Sequence, residues 1–327
     1  MNIKSWILPV LTTVAILSMI LIGLEMAESP SGDLKVGYVS TGITGLAVQV
    51  IQDQQIPEKH DLSIEFVGFT SPSAMNNSFV AKAFDVNLAA GASVMARARD
   101  QGYDVQYFFP TLINSVSVIV PDTSPVVSLA ELTGEKIGWY GLQSGGGTAF
   151  YVIAHELGLD VRRDFQMIDA RPPALWPLLD RGEVRAIVIF EPFVSRMLAT
   201  GSYRELIGPF WHEWEKKTGK KMELSGLAAF RSWLDSNEEY AQKLVAIWIE
   251  VAQYIKAHPR EVLTRYAEFT KFDSEREIEL GLERIPVLLN SEWGEIDQSI
   301  AQVLSILAAD KVIIDRLPEE LMRRVDY

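Results

Sequence analysis

From Leu34 onward, short apolar runs alternate with stretches of helical periodicity, and this alternation constrains the fold more than any other feature. Leu34 to Val39 has strand character, Ser40-Thr-Gly42 is a turn, and Ile43 to Ile56 is expected to be helical. Leu62 to Phe66 alternates apolar and polar residues as a strand does. Ser71-Pro-Ser73 opens a helix running to about Ala83, with Pro72 at a tolerated first-turn position. Val86 to Ala89 is a short buried strand, Gly91-Ala-Ser93 opens another helix, and Val105 to Phe109 is again a strand. The rhythm predicts an α/β fold with a mostly parallel sheet and helices on both faces. Such sheets take ligands outside the carboxyl ends of their strands. Three turns fall there, contributing Ser40, Thr41 and Gly42, then Ser71 and Ser73, then Gly91, Ala92 and Ser93. All are small and uncharged, most carry hydroxyls, and together they are candidate ligand contacts.

The second half repeats the rhythm. Ser115 to Val120 ends at Pro121 and is expected to cross into a second lobe. Ser128 to Gly134 is a short helix with a glycine stop. Lys136 to Trp139 is a strand, and Thr148 to Leu157 is a helix. Between them, Gly145, Gly146 and Gly147 form a loop flanked by Ser144 and Thr148, both suitable N-caps. A glycine loop opening a helix presents backbone N–H groups at the positive end of the helix dipole, a site for an anion or a polar acceptor. The spacing matches neither a Walker loop nor a dinucleotide fingerprint, and Leu142 stands where a nucleophile elbow needs glycine. Phe165 to Asp169 is a strand, Ala174 to Arg181 a helix, and Ala186 to Phe190 a buried strand. Glu191 ends that strand and is expected at the cleft wall as an acceptor-only group. The alternative role for its carboxylate is to cap the helix that Pro192 opens. Trp139, Tyr140 and Phe190 are candidates to stack on a flat ligand, and Asn114 to reach the cleft. Tyr203 to Ile207 closes the second sheet, Glu223 to Phe230 crosses back, and Glu238 to Ala257 and Glu295 to Ala309 are the clearest of the remaining helices. The expected division is therefore 34–118 with 223–327 in one lobe and 119–222 in the other.

The N-terminus gives an address. Lys4 precedes an uncharged apolar run, Trp6 to Leu24, followed by Glu25 and Glu28 and then the Ser29-Pro-Ser-Gly-Asp33 linker. Residues 1–33 read as an export segment with its positive end left inside, either cleaved as a signal or retained as a membrane anchor. The remainder is then expected on the periplasmic or cell-surface side, touching the membrane only through this segment. With 43 acidic against 30 basic residues and a formal charge of −13, nucleic acid is not an expected partner. The absence of cysteine excludes disulfides, thiol catalysis, Cys-ligated zinc and a lipoprotein anchor. His212-Glu213 and His155-Glu156 lack the second histidine of a zinc-hydrolase helix, with Lys216 and Leu159 at the required positions. Neither a metal nor a cofactor is expected.

The order of several segments resembles a known family. They are Leu34-Lys-Val-Gly-Tyr38, Phe84-Asp-Val-Asn-Leu88, Ser128 to Gly138, Gln143-Ser-Gly-Gly-Gly147, Leu178 to Ala186, Phe190-Glu-Pro192 and Glu292 to Asp297. In this the chain is similar to the extracytoplasmic substrate-binding proteins of nitrate-, sulfonate- and taurine-type ABC importers, which include binders of thiamine precursors and riboflavin. The resemblance implies a two-lobed type II binding fold with two crossover segments forming a hinge. It also implies a small-molecule ligand held between the lobes, and an ABC permease with its ATPase subunit as partners. Two departures stand out: Asn87 occupies a position where the family usually has glycine, and the candidate loops carry no basic residue, since Arg97 and Arg99 lie well along a helix. The expected ligand is therefore a neutral or weakly charged organic molecule with a ring, such as a pyrimidine precursor or a flavin, rather than nitrate or a simple sulfonate. Enzymes share this fold. Asp169 and Glu191 both end second-lobe strands and are a candidate acid–base pair. A thiamine-pyrimidine synthase of this kind uses a cysteine-rich segment that is absent here, and a chorismate-dehydratase-like enzyme acts in the cytoplasm. The expectation is a binding protein and not an enzyme, with an enzyme of the same fold or a ligand-sensing ectodomain as the alternatives.

Overall fold

The computed structural model describes residues 34–327. The Trp6 to Leu24 segment and the linker after it lie outside the described residues. Two five-stranded sheets organise the chain, in the orders β2-β1-β3-β10-β4 and β7-β6-β8-β5-β9. The first contains β1 (Leu34–Val39), β2 (Ile64–Phe69), β3 (Val86–Ala90), β4 (Val105–Ile113) and β10 (Glu223–Phe230). The second contains β5 (Ser117–Pro121), β6 (Lys136–Trp139), β7 (Gln166–Asp169), β8 (Ala186–Ile189) and β9 (Tyr203–Ile207).

Each sheet has one strand running against its neighbours. β1 pairs parallel with β3, and β10 pairs antiparallel with both β3 and β4. β6 pairs parallel with β7 and β8, and β5 pairs antiparallel with β8 and β9. The reversed strands, β5 and β10, are the ones that enter from the other sheet. Parallel strands of the two lobes point their carboxyl ends at the space between them, so a strand arriving from that space runs the opposite way. This is the two-lobed type II binding fold that the resemblance implied.

The two crossings lie side by side and are laced through Asn114, which is fully buried. Its backbone N–H donates to the Met222 carbonyl at 2.9 Å, and its side-chain amide donates to the Glu223 carbonyl at 3.2 Å. Its side-chain oxygen accepts from the Val116 N–H at 3.2 Å. The first crossing thus spans the few residues between Ile113 and Ser117.

Local differences from the expected elements have physical causes. The helix expected to reach Ile56 stops at Asp53, because Gln55 takes a left-handed φ of 50° before a short Ile56–Lys59 turn. β4 runs to Ile113, beyond the expected Phe109, and all nine of its residues are buried although it ends the sheet. The C-terminal tail covers that edge: the Tyr107 N–H donates to the Leu321 carbonyl at 2.8 Å, and the Arg323 N–H donates to the Tyr107 carbonyl at 2.9 Å. The three glycines expected as a loop form the first turn of the Gly145–Glu156 helix. The Ser144 hydroxyl caps that helix by accepting from the Gly147 N–H at 3.0 Å, so Thr148 lies inside the helix and is not a cap.

Candidate ligand-binding cleft

Two helices start at the cleft from opposite lobes. The Ile43–Asp53 helix follows β1, and no side chain caps its N-terminus. Its N-cap, Gly42, has φ 81°, and a Cβ there would sit 2.9 Å from Cε2 of Phe190 in the facing lobe. Glycine is required at Gly42 on both counts. The Gly145–Glu156 helix follows β6, and its Gly145 and Gly146 N–H groups have no hydrogen-bond partner among the described residues. A Cβ on Gly146 would overlap the Tyr140 hydroxyl, and one on Gly145 would overlap the Leu224 carbonyl. The glycines therefore let the Tyr140 ring and the β10 backbone close over the start of this helix.

Both N-termini border one cavity, of about 60 Å³, at the meeting of the lobes. Of the residues named as candidate ligand contacts, Thr41, Gly42, Tyr140, Ser144, Gly145, Gly146, Phe190 and Glu191 line it. Pro72, Ala89, Ser115, Leu224 and Ser225 line it as well. These escaped a search for glycine and hydroxyl turns, because three of the five are apolar and Ser115, Leu224 and Ser225 belong to the crossing segments. Two hydroxyls in this cavity have no hydrogen-bond partner among the described residues: that of Tyr140, which is 8% exposed, and the buried hydroxyl of Thr41. Burial raises the Tyr140 pKa, so the group stays a neutral O–H donor. Two positive helix ends and two uncommitted hydroxyls make an acceptor-seeking pocket with no ionised cation in its lining.

The other expected contacts are placed elsewhere. Trp139 lies in the second lobe, 6% exposed, with its ring edge-on to Phe150 at 6.4 Å between centroids, and does not line the cavity. Its side chain projects from the sheet toward the helix layer, whereas Tyr140, one residue later, turns into the cleft. Asn114 is committed to the crossings, as described above. Ser71 caps the Pro72–Val80 helix by accepting from the Ala74 N–H at 3.3 Å, and neither it nor Ser73 lines a cavity. Ser40 donates to the Phe69 carbonyl at 3.0 Å and borders only the outer part of the cleft.

Gly91, Ala92, Ser93, Gly147 and Thr148 sit at or behind the seam between the lobes. Ser93 and Thr148 share a hydrogen bond of 2.7 Å across it, and a Cβ on Gly91 would lie 2.9 Å from the Gly145 Cα. Asn87 completes a relay over the same seam: its amide donates to Asn76 at 3.0 Å, and the Asn76 amide donates to the Gln143 carbonyl at 3.2 Å. The asparagine that departs from the family pattern therefore anchors an interlobe contact.

Glu191 is 1% exposed and both its oxygens are taken. One accepts from the Ser195 N–H at 3.1 Å, capping the Phe193–Ala199 helix, and the other is bonded by Arg284. Glu191 thus makes the capping contact and also lines the cavity. Arg284 also holds both oxygens of Glu205, at 2.7 and 3.1 Å. Burial disfavours its charge, but the Glu191 and Glu205 carboxylates outweigh this and raise the guanidinium pKa. Arg284 sits more than ninety residues from Glu191 in sequence, at the end of the Glu275–Arg284 helix, and no local signal announces it. Arg284 offsets part of the charge of Glu191, and the three groups together carry one net negative charge at the cleft wall.

Among the described residues, no group of three or more histidine and carboxylate side chains is arranged to hold a metal ion, and no helix is long and apolar enough to cross a membrane.

The fold has close structural relatives at low identity. A protein of Bordetella bronchiseptica RB50 superposes with a TM-score of 0.76 at 16% identity, over 89% of this chain and 94% of that one. The alkanesulfonate-binding protein SsuA from Xanthomonas axonopodis pv. citri, bound to MOPS, gives 0.72 at 15% identity, over 89% and 98%. The periplasmic aliphatic sulphonate-binding protein SsuA from Escherichia coli gives 0.68 at 18% identity, over 89% and 96%. No curated protein matches the sequence. The model of the NMT1-like family matches residues 27–268, which is most of the chain, and the protein belongs to that family.

Proposed function

We propose that the protein is the solute-binding subunit of an ABC importer, working outside the cytoplasm and passing a small organic ligand to a membrane permease and its ATPase. The observation that carries this reading is the convergence of two helix N-termini from opposite lobes, with the orphan Thr41 and Tyr140 hydroxyls, on one interlobe cavity. A ligand there bonds both lobes at once and so favours the closed arrangement over an open one. The commitment of Glu191 to Arg284 and Ser195 favours binding over acid–base chemistry, since it leaves Asp169 without the partner such chemistry needs.

The donors call for a compact acceptor-rich head group such as a sulfonate or carboxylate. A space of about 60 Å³ is the size of such a head group. The ring expected from the sequence and the acceptor head expected from the geometry are met together by a ring-bearing acid. MOPS, the molecule bound to the Xanthomonas SsuA, is a ring carrying a sulfonate. The N-terminal export segment supports a periplasmic or cell-surface location, with or without a retained anchor.

Native mass spectrometry of protein purified from its host should detect a co-purifying organic acid. Calorimetry with small sulfonates, carboxylates, nitrate and neutral heterocycles should rank the organic acids first, with a smaller radius by X-ray scattering at saturation. Tight binding of neutral heterocycles with none of the acids would overturn the head-group assignment. An unchanged radius would count against hinge closure.

A further inference from the structure

The inner cavity does not end the cleft. A second cavity of about 620 Å³ adjoins it, and Thr41 and Gly42 line both. Its walls come from both lobes: Phe269 and Lys271 from the first, and Trp176, Phe193 and Arg196 from the second. Pro173, Pro177 and Pro192 add flat apolar surface. An aromatic ladder joins the two spaces. The Tyr140 and Phe190 rings meet edge-on at 5.2 Å, and the Phe190 and Phe193 rings at 5.7 Å, so the series begins in the inner cavity and ends in the outer one.

We propose that this outer chamber is the subsite for a planar, apolar ligand body whose head group occupies the inner cavity, an inference that rests on the function proposed above. The chamber selects by stacking and not by charge. Its two cations, Arg196 and Lys271, are balanced by Asp180 and Glu268. Arg196 lies over the Trp176 ring, 5.4 Å from its centroid, and pairs loosely with Glu277 at 3.8 Å, while Asp180 accepts from the Tyr203 hydroxyl. Trp176, Phe193 and Phe269 are half-buried and line the chamber. Aromatic side chains from both lobes favour a flat ring over a flexible alkyl chain, because they add oriented ring–ring contact to simple burial. The chamber falls within the ~300–1,000 Å³ of small-molecule sites, whereas the inner cavity alone is far below it. The ligand is thus elongated, with an acceptor at the inner end and a ring at the outer.

The test compares four probes by calorimetry: methanesulfonate, naphthalene-2-sulfonate, naphthalene-2-carboxylate and naphthalene-2-methanol. Each is titrated into the wild type, Trp176→Ala and Phe269→Ala, with circular dichroism to verify folding. The two substitutions act from opposite lobes, so loss of one variant to misfolding leaves the other. The three naphthyl probes should each weaken by about tenfold in either variant, and methanesulfonate by less than twofold. Unchanged naphthyl binding, an equal loss for methanesulfonate, or no naphthyl binding at millimolar concentration overturns the outer chamber. If naphthalene-2-methanol binds as tightly as the sulfonate yet still weakens in the variants, the acceptor head group is wrong and the outer chamber stands.

Discussion

Replacing Tyr140 by phenylalanine should move stability and affinity in opposite directions. The hydroxyl is buried in a residue that is 8% exposed, and it has no hydrogen-bond partner among the described residues. Leaving a buried polar group unsatisfied costs roughly 1–3 kcal/mol. Phenylalanine removes that cost and keeps the ring contact with Phe190. The small void left by the lost oxygen returns part of the gain, so the net expectation is a ligand-free protein as stable as wild type or more stable by about 1 kcal/mol. For a chain of this size that corresponds to a rise in Tm of roughly 2 °C.

In the proposed complex the same hydroxyl is expected to donate to the ligand. Its loss should weaken binding by about 1.5–3 kcal/mol if the head group is anionic, and by about 0.5–1.5 kcal/mol if it is neutral. The anionic case corresponds to roughly 10- to 150-fold in Kd. Calorimetric unfolding of the free protein, paired with titration by a sulfonate or carboxylate that binds the wild type, reads both quantities on one variant. A loss of more than about 1 kcal/mol in stability with unchanged affinity would refute the reasoning, because it would make the hydroxyl a structural group that is already satisfied.

Three other outcomes are expected. Arg284→Ala should cost about 3–5 kcal/mol in denaturant unfolding, because it strands the buried Glu191 carboxylate without its cation; Glu191→Gln should cost less, since the amide still accepts from Ser195, and a loss below about 1 kcal/mol for Arg284→Ala would contradict the pairing. Gly146→Val should abolish ligand binding in a protein that still folds, because any Cβ there displaces the Tyr140 hydroxyl, and wild-type affinity would exclude the glycine turn from the site. Burial raises the Glu223 carboxyl from 4.5 to about 8, opposed by the Ala92 N–H and the Tyr107 hydroxyl. Above the unfolded value the unfolded chain releases this proton while the folded protein keeps it, so stability falls as pH rises from about 4.5 toward 8. The slope is at most about 1.4 kcal/mol per pH unit, and Glu223→Gln should flatten that part of the profile; an unaltered profile would rule out Glu223 as its source.

The sequence by itself determined the architecture and half of the inner cavity. Alternating apolar runs and helical stretches specify parallel strands joined by helices, because a strand buried on both faces must be apolar throughout and its crossover needs an amphipathic helix. The turns at the carboxyl ends of β1 and β6 were legible for a related reason. Gly42, Ser144, Gly145 and Gly146 are residues whose backbone freedom or capping chemistry few others supply, so local sequence betrays them. Tertiary structure alone decided which neighbouring side chain faces the ligand. Trp139 and Tyr140 are adjacent aromatics with equal claims in sequence, and the end of β6 sends one into the lobe interior and the other into the cleft. It likewise turned Asn114 into a lacing of the crossings and Ser93 and Thr148 into an interlobe clasp. The pairing of Glu191 was beyond the sequence for a stronger reason. Glu191 looks like a free carboxylate until the Glu275–Arg284 helix brings in Arg284, and a contact between residues so far apart in the chain exists only once both lobes have folded and met.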